Sequence, residues 1–325
     1  GPPQSSVAIV NTILPVLGGF FVDTFGTGAG SVLATTLVAA GNILVAISTN
    51  MRSFPVMVIG RVLYGLGSGS ITVVQGAILS HWFRGRGLAI TLGLEVAVSR
   101  LASFLSMATV MPIAIHTGFY GWAFWFTAFL CVLSCVVNAG YVLLLRYLRV
   151  ELGLERRVLA RKKAFHPSAI LRFPMVYWWI VGVTFTLGSA WTTFLHLNTE
   201  MVKIRFGRKE DIAAFTASIS QVLPIFIAPF QGYLHDRYGR RAVTAMWAAL
   251  MFVLSMWLFL HYVDMNPLVG MIIFSVSLTF GPVAMFSSVS LVLSKAFVGT
   301  GLGIYKAALH IGTSLLDILV GVLQD

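Results

Sequence analysis

Arg100 and Glu95 stand inside an otherwise apolar stretch, ITLGLEVAVSRLASFLS, and this sets a chemical problem. An ionised side chain in hydrocarbon costs about 2.5–3.5 kcal/mol on insertion scales, so it normally faces a partner or a water-filled cavity. A guanidinium offers a bidentate fork, which makes Arg100 the first candidate for holding a substrate carboxylate. The competing role is an Arg that neutralises an acid or ties off carbonyls in a packed core. Glu95 lies five residues earlier, about 140° around the helix from Arg100, so the two are not a simple ion pair. Glu95 could bind a substrate amine, carry a proton, or only offset a buried cation such as Lys306.

Two further stripes carry polar groups at helical spacing. Lys306, His310, Thr313, Ser314 and Asp317 share one face of the last apolar segment. There Lys306 could bind a carboxylate and His310 could respond to an acidic compartment, or the face could simply hold helices together. Arg61, Gly65, Ser68, Thr72 and Gln75 form a second stripe, with Arg61 and Gln75 bracketing a cavity and the small residues between them expected to pack. No nucleophile with a base and no metal-ligand cluster is visible, so the expectation is a non-enzyme with no cofactor and no metal. Cys131 and Cys135, one turn apart, read as small packing residues.

The elements that position these residues are long and apolar. Apolar residues make up 58% of the chain and charged residues 10%, too much apolar surface for a water-soluble core. Ten hydrophobic spans are expected, at 5–22, 30–49, 54–80, 87–115, 119–148, 174–197, 211–234, 242–263, 267–294 and 300–323. The fold class is therefore an all-α polytopic membrane protein with the lipid bilayer as its partner. The formal charge of +11 is no nucleic-acid signal. Lys and Arg crowd one set of alternating loops, with Arg84, Arg86, Arg146, Arg156, Arg157, Arg237 and Lys295 among them, against only Arg52, Lys203, Arg205, Arg208 and Lys209 on the other. That asymmetry places the first set, including the central linker, in the cytosol.

A short polar turn occurs twice, as GFFVDTFG at 19–26 and GYLHDRYGRR at 232–241, after the first and the seventh span. The implied repeat is six helices. It divides the chain into a bundle at 1–148, a basic linker at 149–173 and a bundle at 174–325, with a helix expected before the first residue and another after the last. In the second turn Gly232, Asp236, Arg237, Gly239, Arg240 and Arg241 could form a latch across neighbouring helices, made in one conformation and broken in another. The first turn has no cation, so Asp23 alone carries that reading there, against an ordinary loop. Pro112, Pro224, Pro229 and Pro282 should bend their helices, and Trp82, Trp122, Trp178 and Trp179 should anchor span ends.

GYLHDRYGRR resembles the cytoplasmic loop signature of the major facilitator superfamily, and GRVLYGLGSGS at 60–70 is similar to its Arg- and Gly-bearing fourth helix. SHWFRGRGL, the Ser99–Arg100 pair, IAPFQGYLHDRYG and VGTGLGIYKAALHIG look more narrowly like the lysosomal dipeptide transporters of animals and their fungal relatives. The resemblance implies two six-helix halves rocking about a central site, and uniport of dipeptides across a lysosomal or vacuolar membrane. It also implies a glycosylated accessory membrane subunit beside a monomeric transporting unit. One departure is Gly69, where the animal transporters have an acid, so recognition of a peptide amino group by that acid is not carried over. Other expectations are a different solute, such as a copper ion or a monocarboxylate, and a non-transporting sensor or structural subunit of the same fold.

Overall fold

A computed structural model describes residues 2–85, 87–119, 121–151, 167–262 and 266–324. Among these, ten long helices fall on the ten apolar spans. They are α1 (Pro2–Phe25), α2 (Thr27–Met51), α3 (Phe54–Phe83), α4 (Leu88–Thr117), α5 (Gly121–Glu151), α6 (Met175–Arg205), α7 (Glu210–Tyr238), α8 (Arg241–His261), α9 (Pro267–Val292) and α10 (Val298–Gln324). Among the described residues eight helices are long and apolar enough to cross a membrane, which makes this a multi-pass integral membrane protein. Of the central linker, α5 takes the start up to Glu151 and a short 3₁₀ turn occupies Pro167–Arg172. The basic residues Arg156, Arg157, Arg161, Lys162 and Lys163, like Arg86 and the side chains of Pro112 and Arg149, lie outside the described residues.

By contact the chain forms two compact units. The first gathers Gly1–Ile78, Ala108–Pro174 and Ser294–Ala307, and the second Leu79–Met107, Met175–Leu293 and Ala308–Asp325. These units follow packing, whereas the halves expected at 1–148 and 174–325 rest on the six-helix period of the sequence.

In the first unit α2 runs along α5. Asn42 Nδ2 donates to Cys131 Sγ at 3.3 Å and Asn138 Nδ2 to Thr35 Oγ1 at 3.2 Å, so Cys131 is a polar acceptor as well as a packing residue. Helix α3 meets α2 through small residues: a Cβ on Gly41 would lie 2.4 Å from the Tyr64 amide nitrogen, and one on Gly67 2.7 Å from the Ala34 carbonyl. With little hydrophobic drive between helices in lipid, such close approach supplies the association energy. The stripe from Arg61 to Gln75 lies about 100° further around α3 from these contacts. Gly65 has nothing within 4 Å of its would-be Cβ and both Arg61 and Gln75 are exposed, while Ser68 and Thr72 between them are half-buried.

In the second unit α9 lies between α7 and α8 around an aromatic core of Trp191, Phe194, Phe252, Phe259 and Phe274. Trp191, fully buried, donates its indole N–H to Ser277 Oγ at 2.9 Å. Helix α6 carries a π-bulge at Thr184–Gly188, a wider turn that no periodicity announced. Just past it Ser189 Oγ donates to the Leu309 carbonyl of α10 at 3.2 Å. In α7 Pro224 cannot donate to the Ser220 carbonyl, and Ser275 Oγ of α9 fills the vacancy at 3.1 Å.

Candidate functional site

The Arg100 guanidinium, half-buried on α4, donates through Nη1 to Oε1 of Gln221 on α7. No carboxylate among the described residues lies within ion-pair distance of Arg100. A cation inside an apolar span is thus answered by a neutral amide, which leaves its charge available to an incoming anion. Glu95 and His310 belong to the same unit as Arg100, whereas Arg61, Gln75 and Lys306 belong to the other. Glu95, Lys306 and His310 are half-buried and none of them is free of interactions.

Further along α10 Thr313 and Ser314 turn their hydroxyls back to the Leu309 and His310 carbonyls of their own helix. Asp317 reaches across to α6, where its Oδ2 lies 3.3 Å from His196 Nδ1. The sequence-level stripe therefore does two different jobs, internal satisfaction in the middle and cross-helix pairing at Asp317.

The two polar turns are more alike than their sequences suggest. Gly19, Asp23 and Gly26 recur as Gly232, Asp236 and Gly239 at one constant offset of 213 (232 − 19, 236 − 23, 239 − 26). In each case the aspartate caps another helix from outside. Asp23 accepts the Gly299 amide at 2.9 Å and the Thr300 amide at 2.6 Å, at the start of α10. Asp236 accepts the Ala89 amide at 3.1 Å and the Ile90 amide at 2.9 Å, at the start of α4. These are the second and third residues of each helix, whose N–H groups lack intrahelical partners. They are the groups that an N-cap side chain normally satisfies, at the positive end of the helix dipole. Gly87 and Phe297, which precede the two helices, offer no capping side chain of their own.

Glycines make this possible. A Cβ on Gly19 would lie 2.2 Å from the Gly299 carbonyl oxygen, and one on Gly232 2.3 Å from that of Ala89. One turn deeper, Gly303 meets the Pro15 carbonyl at 2.4 Å and Gly93 that of Ala228 at 2.3 Å. Both helix pairs are therefore in backbone contact over a full turn, which holds each carboxylate against the facing helix end.

They differ in what surrounds the carboxylate. Arg241 lies 3.5 Å from Asp236 and also donates from Nε to Ser287 Oγ at 3.1 Å. Of the basic residues expected to pair, it alone does so. Arg237 instead bonds Tyr233 Oη at 2.9 Å and covers the Tyr238 ring, and Arg240 is exposed. Asp23, at the end of its span, has no cation within ion-pair distance among the described residues, and burial lifts its carboxyl to about 6 against the pull of the Thr300 and Gly299 bonds. His235, next to Asp236, is buried and bonded to Gln231, and burial together with the nearby Arg241 cation holds it down at about 4.

Sequence reasoning missed Gln221, His196 and the receiving helix starts at Ala89 and Gly299. A Gln three residues before a proline inside an apolar span was a legible signal. The helix starts were not, because their contribution is backbone N–H and any residue but proline supplies it.

The sequence pattern of the Major Facilitator Superfamily matches residues 4–316. A lysosomal dipeptide transporter MFSD1 of Danio rerio is 25% identical over 323 residues, covering 97% of this chain and 70% of the relative. The Homo sapiens protein of the same name is 23% identical over 328 residues, covering 97% and 69%. Among solved structures, the E. coli fucose:proton symporter FucP superposes with a TM-score of 0.77 at 13% identity, covering 99% of this chain and 83% of that one. The human organic anion transporter MFSD10 gives 0.68 at 15% identity, covering 97% and 75%. The family pattern spans nearly all ten helices and the solved structures share their arrangement, so this chain belongs to the Major Facilitator Superfamily.

Proposed function

We propose that the protein transports small carboxylated solutes, dipeptides first among them, by alternating access. One observation carries this reading: Arg100, inside a membrane-spanning helix, is met by a neutral amide and by no carboxylate among the described residues. A buried guanidinium kept in that state suits reversible capture of a carboxylate, and the relatives named lysosomal dipeptide transporters supply the substrate class and a lysosomal or vacuolar membrane. Glu95 and His310, which belong to the same unit as Arg100, are assigned to the remainder of the substrate or to a coupled proton. The two aspartate caps are assigned as latches at the cytosolic ends, intact in one conformation and separated in the other. The transporting unit is a monomer with a cytosolic linker, alongside an accessory membrane subunit.

Uptake into proteoliposomes tests the proposal. Saturable flux of glycyl-alanine is expected in the wild type and at least a hundredfold less in Arg100→Ala. Dipeptide flux that survives this substitution would remove Arg100 from the site, and flux of no solute would point to a sensor or structural subunit.

A further inference from the structure

We infer that Gln221 is a specificity-determining residue of the substrate site: a neutral placeholder on Arg100 that a substrate carboxylate displaces and that then donates its own N–H to that carboxylate. This rests on the carboxylate-binding role proposed for Arg100 and deepens it.

The chemistry follows from the donor inventory. Arginine has donors only, so the Gln221 atom that faces it is Oε1. Its Nε2, with two donors, makes no hydrogen bond among the described residues. A carboxylate makes a charge-assisted, forked contact with a guanidinium and outcompetes a neutral amide for it. The terminal torsion of glutamine is broad and roughly two-fold, so the displaced side chain turns Nε2 toward the carboxylate at little cost. A carboxylate has about four acceptor sites and a single guanidinium uses two, which leaves room for the amide.

The backbone around Gln221 is built to hold it there. It precedes Pro224 by three residues, where α7 has lost a helical hydrogen bond. The Ser220 carbonyl, left without its helical donor, is taken by Ser275 of α9 at 3.1 Å, and Asn198 of α6 reaches Ser220 Oγ at 3.3 Å. Ser220 and Ser275 are fully buried, so the break is braced from two helices directly beside Gln221. Neutrality is the essential property. A glutamate here would ion-pair with Arg100 and close the site to anions, whereas an apolar residue would leave the guanidinium unsatisfied when the site is empty.

The test is binding to the purified full chain, read as ligand-induced thermal stabilisation, with glycyl-alanine, its C-terminal amide and lactate as probes. In the wild type glycyl-alanine stabilises and its amide does not. Gln221→Ala is expected to weaken glycyl-alanine about tenfold, and Gln221→Glu to remove the response over the same concentrations. The melting temperatures of the unliganded variants serve as the folding control. Gln221→Asn, with its amide drawn back by one methylene, replaces Gln221→Ala if that variant does not fold, with the same expected weakening. Wild-type affinity and unchanged discrimination against the amide in both Gln221→Ala and Gln221→Glu overturn the inference and leave the dipeptide proposal standing. A wild type that answers lactate but not glycyl-alanine, with the response lost in Gln221→Glu, overturns the dipeptide substrate and supports Gln221. A wild type that answers neither carboxylate overturns both.

Discussion

The α1/α10 and α7/α4 contacts solve one mechanical problem with different charges. Each brings a glycine of one helix onto the backbone of another and sets an aspartate, one turn later, on two orphan N–H groups. Only the second adds an arginine, which ties Asp236 to Ser287 of α9. The comparison separates what closes the contact from what tunes it. Backbone approach and the capped helix end are common to both, so they are the minimal device. The arginine is an addition that stabilises one copy and leaves the other responsive to protons.

The largest test strikes the shared part. Gly19→Val and Gly232→Val each force a Cβ onto a carbonyl oxygen now 2.2 or 2.3 Å from that position, so the helices must part. Both variants are expected to lose flux by more than tenfold in the proteoliposome assay, with lower melting temperatures. A normal Gly19→Val beside a dead Gly232→Val would show that only the second contact matters. Removing the carboxylates comes next and should be unequal. Asp236→Ala strips Arg241 of its anion as well as α4 of its cap, for about 2 kcal/mol of stability. Asp23→Ala loses the cap alone, about 1 kcal/mol. Equal losses in chemical unfolding would mean that the arginine contributes nothing.

How much of this was legible beforehand follows from which atoms do the work. Most of the helices were readable because eight of them are apolar over the thickness of a bilayer among the described residues, and that demand is written along the whole segment. Arg100 stands out in the sequence because charge in such a segment is rare. Asp23 was harder to read because no cation stands beside it in the sequence, while its partners are the amides of Gly299 and Thr300, which carry no side-chain signature. The bulge at Thr184–Gly188 was invisible for a related reason: it lies where α6 meets α10 at Ser189 and Gly312, a contact between residues distant in sequence. Gln221 carried a signal in its place three residues before Pro224 inside a span, but only its contact with Arg100 gives that signal a chemical meaning.

A smaller expected effect concerns Arg237, which bonds Tyr233 on its own helix and lies over Tyr238 without touching either cap. Arg237→Ala should change stability by less than about 0.5 kcal/mol and leave flux within twofold. A large loss would bring the exposed arginines back into the latch.

The finest distinction between the two contacts is their response to pH. Asp23 has a folded value of about 6 against an ordinary 3.8, with burial as the main cause. Because the folded value is the higher one, folding favours the protonated acid. Its stabilising contribution is complete below about 3.8 and is lost as pH rises through about 6. Melting temperature followed from pH 4.5 to 7.5 should therefore contain a falling component, which Asp23→Asn abolishes because an amide does not titrate there. Gly28 stands at the constant offset from Arg241, and its would-be Cβ meets only Val142 side-chain atoms, the nearest at 3.5 Å, so Gly28→Arg can supply the missing cation. An arginine beside Asp23 favours the carboxylate, and the falling component should shift to lower pH. If Gly28→Arg leaves that component in place, the cation is not what distinguishes the two contacts, and burial depth must be.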